Sequence, residues 1–349
     1  MGRIILMKKT ICIFKARIKH FPHWDPDSIH TGISGSEESI IYSAEALKNF
    51  GFNVFVLNNL DNKEKYKNNS ANPCYPGYLH KDDFFDYTIL HDDIQFINLV
   101  RPRTNKLYFF ANNICTIKMK PEEIDAFDGV LWTSSYQRNH WISINPDLAK
   151  FKKIFGYAVN PDQFLPIQKK NNPYSCIYAS DYARGLSILL SIWPNIKAKF
   201  PQATLDIYYG LRNWGNMAIE EEEFILDRIR ILKPLGVTDH GQVGHVELAK
   251  AFSDASLWTY PCTHHETFCI TAIKAQFAGA IPVIIEKAAL TETVRFGFKC
   301  LKAEEYENLL LRAMNQINDT SIQEREQMRR FVLENFTWNK ITSKWVESF

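Results

Sequence analysis

The sequence has no apolar run approaching the roughly 20 residues of a membrane-spanning helix, which speaks against membrane insertion. It also lacks an excess of either charge: 41 Lys and Arg face 39 Asp and Glu, a net charge of +2. That balance argues against a nucleic-acid or membrane-surface partner and favours small-molecule chemistry. Cys12, Cys74, Cys115, Cys176, Cys262, Cys269 and Cys300 are scattered, odd in number and form no C-x-x-C pair. Such thiols read as reduced and mostly core filler in a cytosolic protein. Arg3, Lys8 and Lys9 interrupt two short apolar runs before Phe14, so no signal-peptide core is expected, and Leu6 spoils a myristoylation signal after Gly2. Met7-Lys8-Lys9-Thr10 reads as an alternative start. The first loop lacks the glycine pattern of a dinucleotide fold and the lysine of a P-loop, which disfavours a nicotinamide dehydrogenase.

What is present is globular: 46% apolar and 23% charged residues over 349 positions, a length that suits two domains. Thr10 to Phe14 reads as a buried strand. Ile40, Ile41, Ala44 and Leu47 then recur at helical spacing, with Ser34 and Glu37 as a capping box and Gly51 as the stop, before a strand at Val54 to Leu57. Short strands follow at Tyr87 to Leu90, Leu107 to Phe110 and Val130 to Thr133. A second alternating series has strands at Cys176 to Ala179, Leu205 to Tyr208 (followed by Gly210), Val237 to His240, Leu257 to Tyr260 and Ile281 to Ile285, with helices between. Each series implies a doubly wound parallel sheet, and the proline-bearing stretch Gly156 to Asn172 reads as the linker. The expected architecture is two Rossmann-like domains facing a cleft. The first spans residues 1–157 and the second 158–335, with the aromatic-rich end, 336–349, packing back on the first.

Glu266-Thr267-Phe268-Cys269-Ile270 follows a strand and opens a helix whose start, with its unpaired N–H groups and partial positive charge, suits a diphosphate or sugar hydroxyls. The plainer reading makes Glu266 a helix cap. Arg184-Gly185 likewise follows a strand and begins a helix; a guanidinium there can hold phosphate oxygens, though an ordinary surface arginine explains it in isolation. Gly35 and Ser36 lie in the loop after the first strand, where a missing Cβ admits a ligand to the backbone or simply serves helix entry. Asp25-Pro26-Asp27 imitates a D-x-D metal motif but follows no buried strand; His20 with His23, and His264 with His265, lack companion ligands at zinc spacing. No required metal and no cofactor are expected.

Read on through Ala275-Gln-Phe-Ala-Gly279-Ala-Ile-Pro282-Val283 and Ala289 to Val294, with Gly236 to Val243 and Glu247-Leu248 upstream, the chain resembles the retaining glycosyltransferases of family 4, which have the GT-B fold. The likeness runs from about Ser34 to Trp345, and an Asn-, Lys- and Ile-rich compact chain resembles one encoded by a large algal DNA virus, which would place it in host cytosol. The resemblance implies transfer of a hexosyl unit from a GDP-mannose- or UDP-glucose-type donor to a glycan or glycoconjugate, with retention. It implies donor contacts at Gly35, Ser36, Ser180, Arg184, Val243, Glu266, Thr267, Phe268, Cys269, Ile270 and Lys274, with Glu266 and Arg184 central to catalysis. Two positions depart from the family pattern. Lys274 stands where a second glutamate accepts from ribose hydroxyls, and lysine can only donate. Ala111-Asn112 stands where a histidine usually ends the strand, leaving Asn112 or His91 as substitutes. His23 and Trp24 are acceptor candidates by their aromatic and polar character, with an exposed loop as the plainer reading. A sugar-nucleotide-binding partner without transfer and a GT-B epimerase are the alternatives; acceptor identity and oligomeric state are not legible.

Overall fold

The computed structural model describes residues 8–16, 23–58, 73–76, 79–209 and 217–349. His20, Gly210, the segment before Lys8 and most of the loop 61–86 lie outside the described residues. The chain forms two units: one of residues 1–26, 34–158 and 338–349, the other of 27–33 and 159–337.

In the first unit, β1 (Thr10–Phe14) is buried from Ile11 onward, as its apolar run dictates. α1 (Gly35–Asn49) buries Ile40, Ile41, Ala44 and Leu47 and stops before Gly51, whose φ of +95° suits glycine. The expected capping box is not formed: Ser34 is the N-cap, but its hydroxyl makes no cap bond, and the Glu37 side chain is turned into the protein with Oε2 unpaired. Then come β2 (Asn53–Leu57), β3 (Phe85–His91), α2 (Ile97–Val100), β4 (Thr104–Phe110), α3 (Pro121–Asp125), β5 (Gly129–Leu131) and α4 (Ser135–Ile144). Among the described residues the five strands are all parallel, in the order β2-β1-β3-β4-β5.

In the second unit, β6 (Ser175–Ala179), α5 (Leu186–Lys199), β7 (Thr204–Tyr208), α6 (Ile219–Leu232), β8 (Val237–Gly241), α7 (His245–Asp254), β9 (Leu257–Tyr260), α8 (Ile270–Ala278), β10 (Ile281–Ile285), α9 (Leu290–Thr293) and β11 (Phe298–Cys300) alternate. The described strands are again all parallel, ordered β11-β10-β9-β6-β7-β8. Strands buried on both faces, such as β10 with every residue buried, are what helices on each side of a parallel sheet require. α10 (Tyr306–Gln316) and α11 (Ile322–Asn335) complete this unit, the latter starting with the capping box Ser321/Glu324.

α12 (Trp338–Val346) returns to the first unit. Trp345 lies 5.6 Å from Phe110, and Phe349 contacts Tyr87 and Tyr108 at 4.9 and 4.8 Å, while the Tyr108 hydroxyl donates to the Ser348 carbonyl at 2.7 Å. Burying these rings explains the aromatic-rich end of the sequence.

Candidate functional site

Three helices of the second unit begin just beyond strand ends: α5 after β6, α7 after β8 and α8 after β9, and none of their N-caps, Gly185, Gly244 and Cys269, makes a side-chain cap bond. Helix starts of this kind carry partial positive charge. Gly185 is required where it stands. Its φ is +98°, and a Cβ there would lie 2.1 Å from the Pro261 carbonyl oxygen, so the start of α5 is pressed against the end of β9. Arg184 is thereby brought beside Glu266, its Nη1 3.9 Å from Oε1, with side chains 33% and 15% exposed.

Glu266 is not a helix cap. The helix begins at Ile270, four residues later, with Cys269 as N-cap at φ +73°, a strained value for a non-glycine residue. The Glu266 carboxylate instead accepts a 2.6 Å bond at Oε1 from the Tyr260 hydroxyl, and the Cys262 thiol lies 3.9 Å from the same oxygen. Ser180 is within 3.2 Å of the Tyr260 hydroxyl. Burial, followed by the Glu266 charge, pushes the Tyr260 hydroxyl and the Cys269 thiol well above their ordinary values, and Cys262 up to about 11. Burial and then Arg184 lower the neighbouring His264. For Arg184, burial opposes its charge but Glu266 and its neighbours outweigh it, so its pKa is raised and it stays cationic.

Of the other second-unit candidates, Phe268 is 2% exposed with its ring against Phe336 at 5.6 Å, so only its backbone is available to a ligand. Lys274 lies on α8, 7% exposed. Val243 precedes α7 and lies against the 27–33 segment: a Cβ on Gly32 would be 2.7 Å from the Val243 carbonyl oxygen, and Gln242 donates to the Gly32 carbonyl at 2.6 Å. The Asp25-Pro26-Asp27 segment leads into a single 3-10 turn, Pro26–His30. Among the described residues no group of three or more His, Cys, Asp or Glu side chains is placed to hold a metal ion.

In the first unit, Ser36 and Asn112 come together, the Asn112 amide donating to Ser36 Oγ at 2.9 Å, and the Tyr157 hydroxyl bonds Asn112 Oδ1. Gly35 is the first residue of α1 beside them. His91 is 2% exposed with its ring on Phe110 at 4.8 Å. Its neighbour Asp92 is the organiser: Oδ1 accepts from the Asn112 and Asn113 amides at 2.7 and 3.3 Å, and Oδ2 lies 3.4 Å from both Lys15 Nζ and His91 Nδ1. Burial works against its charge, but His91, Lys15 and the Asn112 amide hold its pKa at about 2. His23 is exposed, and Trp24 is half-buried with its carbonyl accepting from Asn58 at 3.0 Å.

Sequence reasoning missed Tyr260 and Lys15 as neighbours of the candidate residues. Asp92 follows His91 at a strand end, where a ligand or catalytic role is tempting from sequence alone, but nothing in a sequence ties a tyrosine that ends a buried strand to a carboxylate six positions on.

No protein-family model and no curated protein matches the sequence. Solved structures do match the fold. A sucrose-phosphate synthase from Thermosynechococcus elongatus superposes with a TM-score of 0.72 at 14% identity, over 97% of this chain and 98% of that one. A glycosyltransferase from Rickettsia africae gives 0.72 at 14% identity, over 98% and 97%. Anabaena HepE, in complex with UDP and glucose, gives 0.67 at 11% identity, over 97% and 99%. The chain thus has the GT-B fold, two parallel-sheet α/β units in one polypeptide.

Proposed function

We propose that the chain is a glycosyltransferase that takes a hexosyl unit from a nucleotide-diphosphate sugar and delivers it to a carbohydrate acceptor with retention. The observation that carries this reading is the pairing of Glu266 and Arg184, 3.9 Å apart where α5 and α8 begin beyond their strands. The difficult step is C–O cleavage that leaves an anionic diphosphate and a cation-like sugar. Arg184 and the two helix starts stabilise the leaving group where its charge develops. Glu266, with Oε2 accepting no bond among the described residues, takes hydrogen bonds from sugar hydroxyls and orients the ring. The departing phosphate accepts the acceptor's proton, so no protein nucleophile is required. In the first unit, Ser36 and Asn112, bonded at 2.9 Å beside Gly35, are the acceptor-side candidates.

GDP-mannose and UDP-glucose are the donors to try first; the HepE structure, determined with UDP and glucose, supports including the latter. The test is a screen of UDP- and GDP-sugars for binding, nucleotide release and sugar transfer, with and without manganese. We expect turnover without added metal, and a strict metal requirement contradicts the reading. Arg184→Ala should lower turnover roughly 10²- to 10³-fold. Unchanged turnover in a folded Arg184→Ala variant removes it from the mechanism, and wild-type kinetics in Glu266→Ala remove Glu266.

A further inference from the structure

Tyr260 ends β9 with its side chain wholly buried, its ring stacked on Trp258 at 5.0 Å and 18° and set against Tyr178 at 5.9 Å. A phenol enclosed in this way needs partners for its oxygen and for its single proton. Among the described residues, Glu266 Oε1 at 2.6 Å and Ser180 Oγ at 3.2 Å are the oxygens bonded to it. The carboxylate can only accept, and the shorter distance is that of a hydrogen bond to a charged oxygen, so the tyrosine proton points to Glu266. The serine hydroxyl then donates to the phenol oxygen. The result is a directed chain, Ser180 Oγ–H to Tyr260 Oη–H to Glu266 Oε1, that crosses from the end of β6 to the segment before α8.

We propose that Tyr260 is the positioning residue for Glu266, aiming its free oxygen Oε2 at the donor sugar, and that Ser180 acts by orienting Tyr260. The geometry favours this over simple packing. Glu266 sits on an irregular segment between β9 and α8, where its backbone has few regular constraints: its N–H bonds the His264 carbonyl and its carbonyl accepts from Ala289. Arg184 alone is a loose restraint at 3.9 Å. Tyr260, by contrast, is clamped by two aromatic neighbours and belongs to the sheet, so its hydroxyl at 2.6 Å is a closer handle on the carboxylate than the Cys262 thiol at 3.9 Å. With its pKa raised by burial and then by Glu266, the phenol keeps its proton and remains a donor throughout the working range.

The inference rests on the reading that Glu266 touches the donor. Tyr260→Phe keeps the stacked ring and removes only the hydroxyl, and donor hydrolysis and transfer are then measured in the wild-type and Glu266→Ala backgrounds. We expect kcat to fall roughly tenfold, the effect of losing one hydrogen bond to a charged group, with donor KM changed less than about twofold because orientation rather than binding is lost. In Glu266→Ala the added effect should be less than about twofold. Ser180→Ala, which leaves the aromatic stack untouched, should act in the same direction more weakly and decide the matter if Tyr260→Phe fails to fold. Wild-type kinetics in Tyr260→Phe, or an equal loss with and without Glu266, overturns the inference while leaving Glu266 in place. Wild-type kinetics in Glu266→Ala, or no donor handling by the wild-type chain, overturns both.

Discussion

Replacing Gly185 by alanine separates two effects that glycine substitutions usually mix. Gly185 has a φ of +98°, and Gly241, in the same unit, has +66°; both are left-handed, yet a Cβ on Gly241 meets nothing within 4 Å while one on Gly185 falls 2.1 Å from the Pro261 carbonyl oxygen and 2.7 Å from its carbon. The left-handed backbone alone costs an L-residue about 1–2 kcal/mol, part of it offset by the lower chain entropy of alanine when unfolded, so Gly241→Ala should lose about 1 kcal/mol. Gly185→Ala adds an overlap of more than an ångström with backbone, which only a shift of α5 or of the β9 end can relieve. A loss of at least about 3 kcal/mol is expected. That shift carries Arg184 away from Glu266, so binding of the proposed nucleotide-sugar donor should weaken with stability, whereas Gly241→Ala should fold with its Arg184–Glu266 pair intact. Urea unfolding followed by tryptophan fluorescence gives the stabilities, and calorimetric titration with the nucleotide sugar gives binding. Equal destabilisation by the two substitutions refutes the close approach of α5 to β9.

Lys170 donates to the Ser253 and Ala278 carbonyls at the ends of α7 and α8, and burial, then Arg325, lowers its pKa to about 7 from an ordinary 10.5. Between those values the unfolded chain holds a proton the folded chain has released, so stability rises with pH across that window, by at most about 1.4 kcal/mol per unit. Below about pH 7 the full cost of the buried charge is present. The stability of the wild type relative to Lys170→Met should therefore increase from pH 7 to pH 8.5 in urea titrations, and a flat difference contradicts the assignment. Trp345, 2% exposed, should cost about 3–5 kcal/mol on replacement by alanine, seen as a lower unfolding midpoint of the first unit; an unchanged midpoint shows that α12 does not hold that unit together.

The sequence makes legible every described strand but the edge strand β11, because parallel strands covered on two faces must be apolar runs, as at Ile281 to Ile285, whereas Phe298 to Cys300 is half-buried and short. It shortens them at their polar starts: β4 extends back through Thr104, Asn105 and Lys106, where apolar patterning gives no signal. α4 is invisible for a similar reason, since Ser135 to Ile144 buries only Gln137 and Trp141 and is set by the Ser134 hydroxyl accepting from the Gln137 N–H. At the site, Arg184 and Glu266 are legible because each follows a strand and precedes a helix. Their mutual distance depends on Gly185 meeting Pro261, a contact between segments some 76 positions apart in the chain.

Lys274 stands at the far end of the segment that Glu266 opens. Its side chain is 7% exposed on α8, where Ala272, Ile273, Ala275, Gln276, Phe277 and Ala278 are also buried. A lysine donates hydrogen bonds and cannot accept them. Glu266 is the opposite: a carboxylate 15% exposed, tethered at one oxygen and open at the other, able to receive hydroxyl protons. The two ends of the Glu266–Lys274 segment thus have opposite hydrogen-bond polarity. Under the proposed function, the glutamate end suits the hydroxyls of the donor sugar. Under that reading the anionic diphosphate of the donor lies beside Arg184, with the sugar hydroxyls at Glu266.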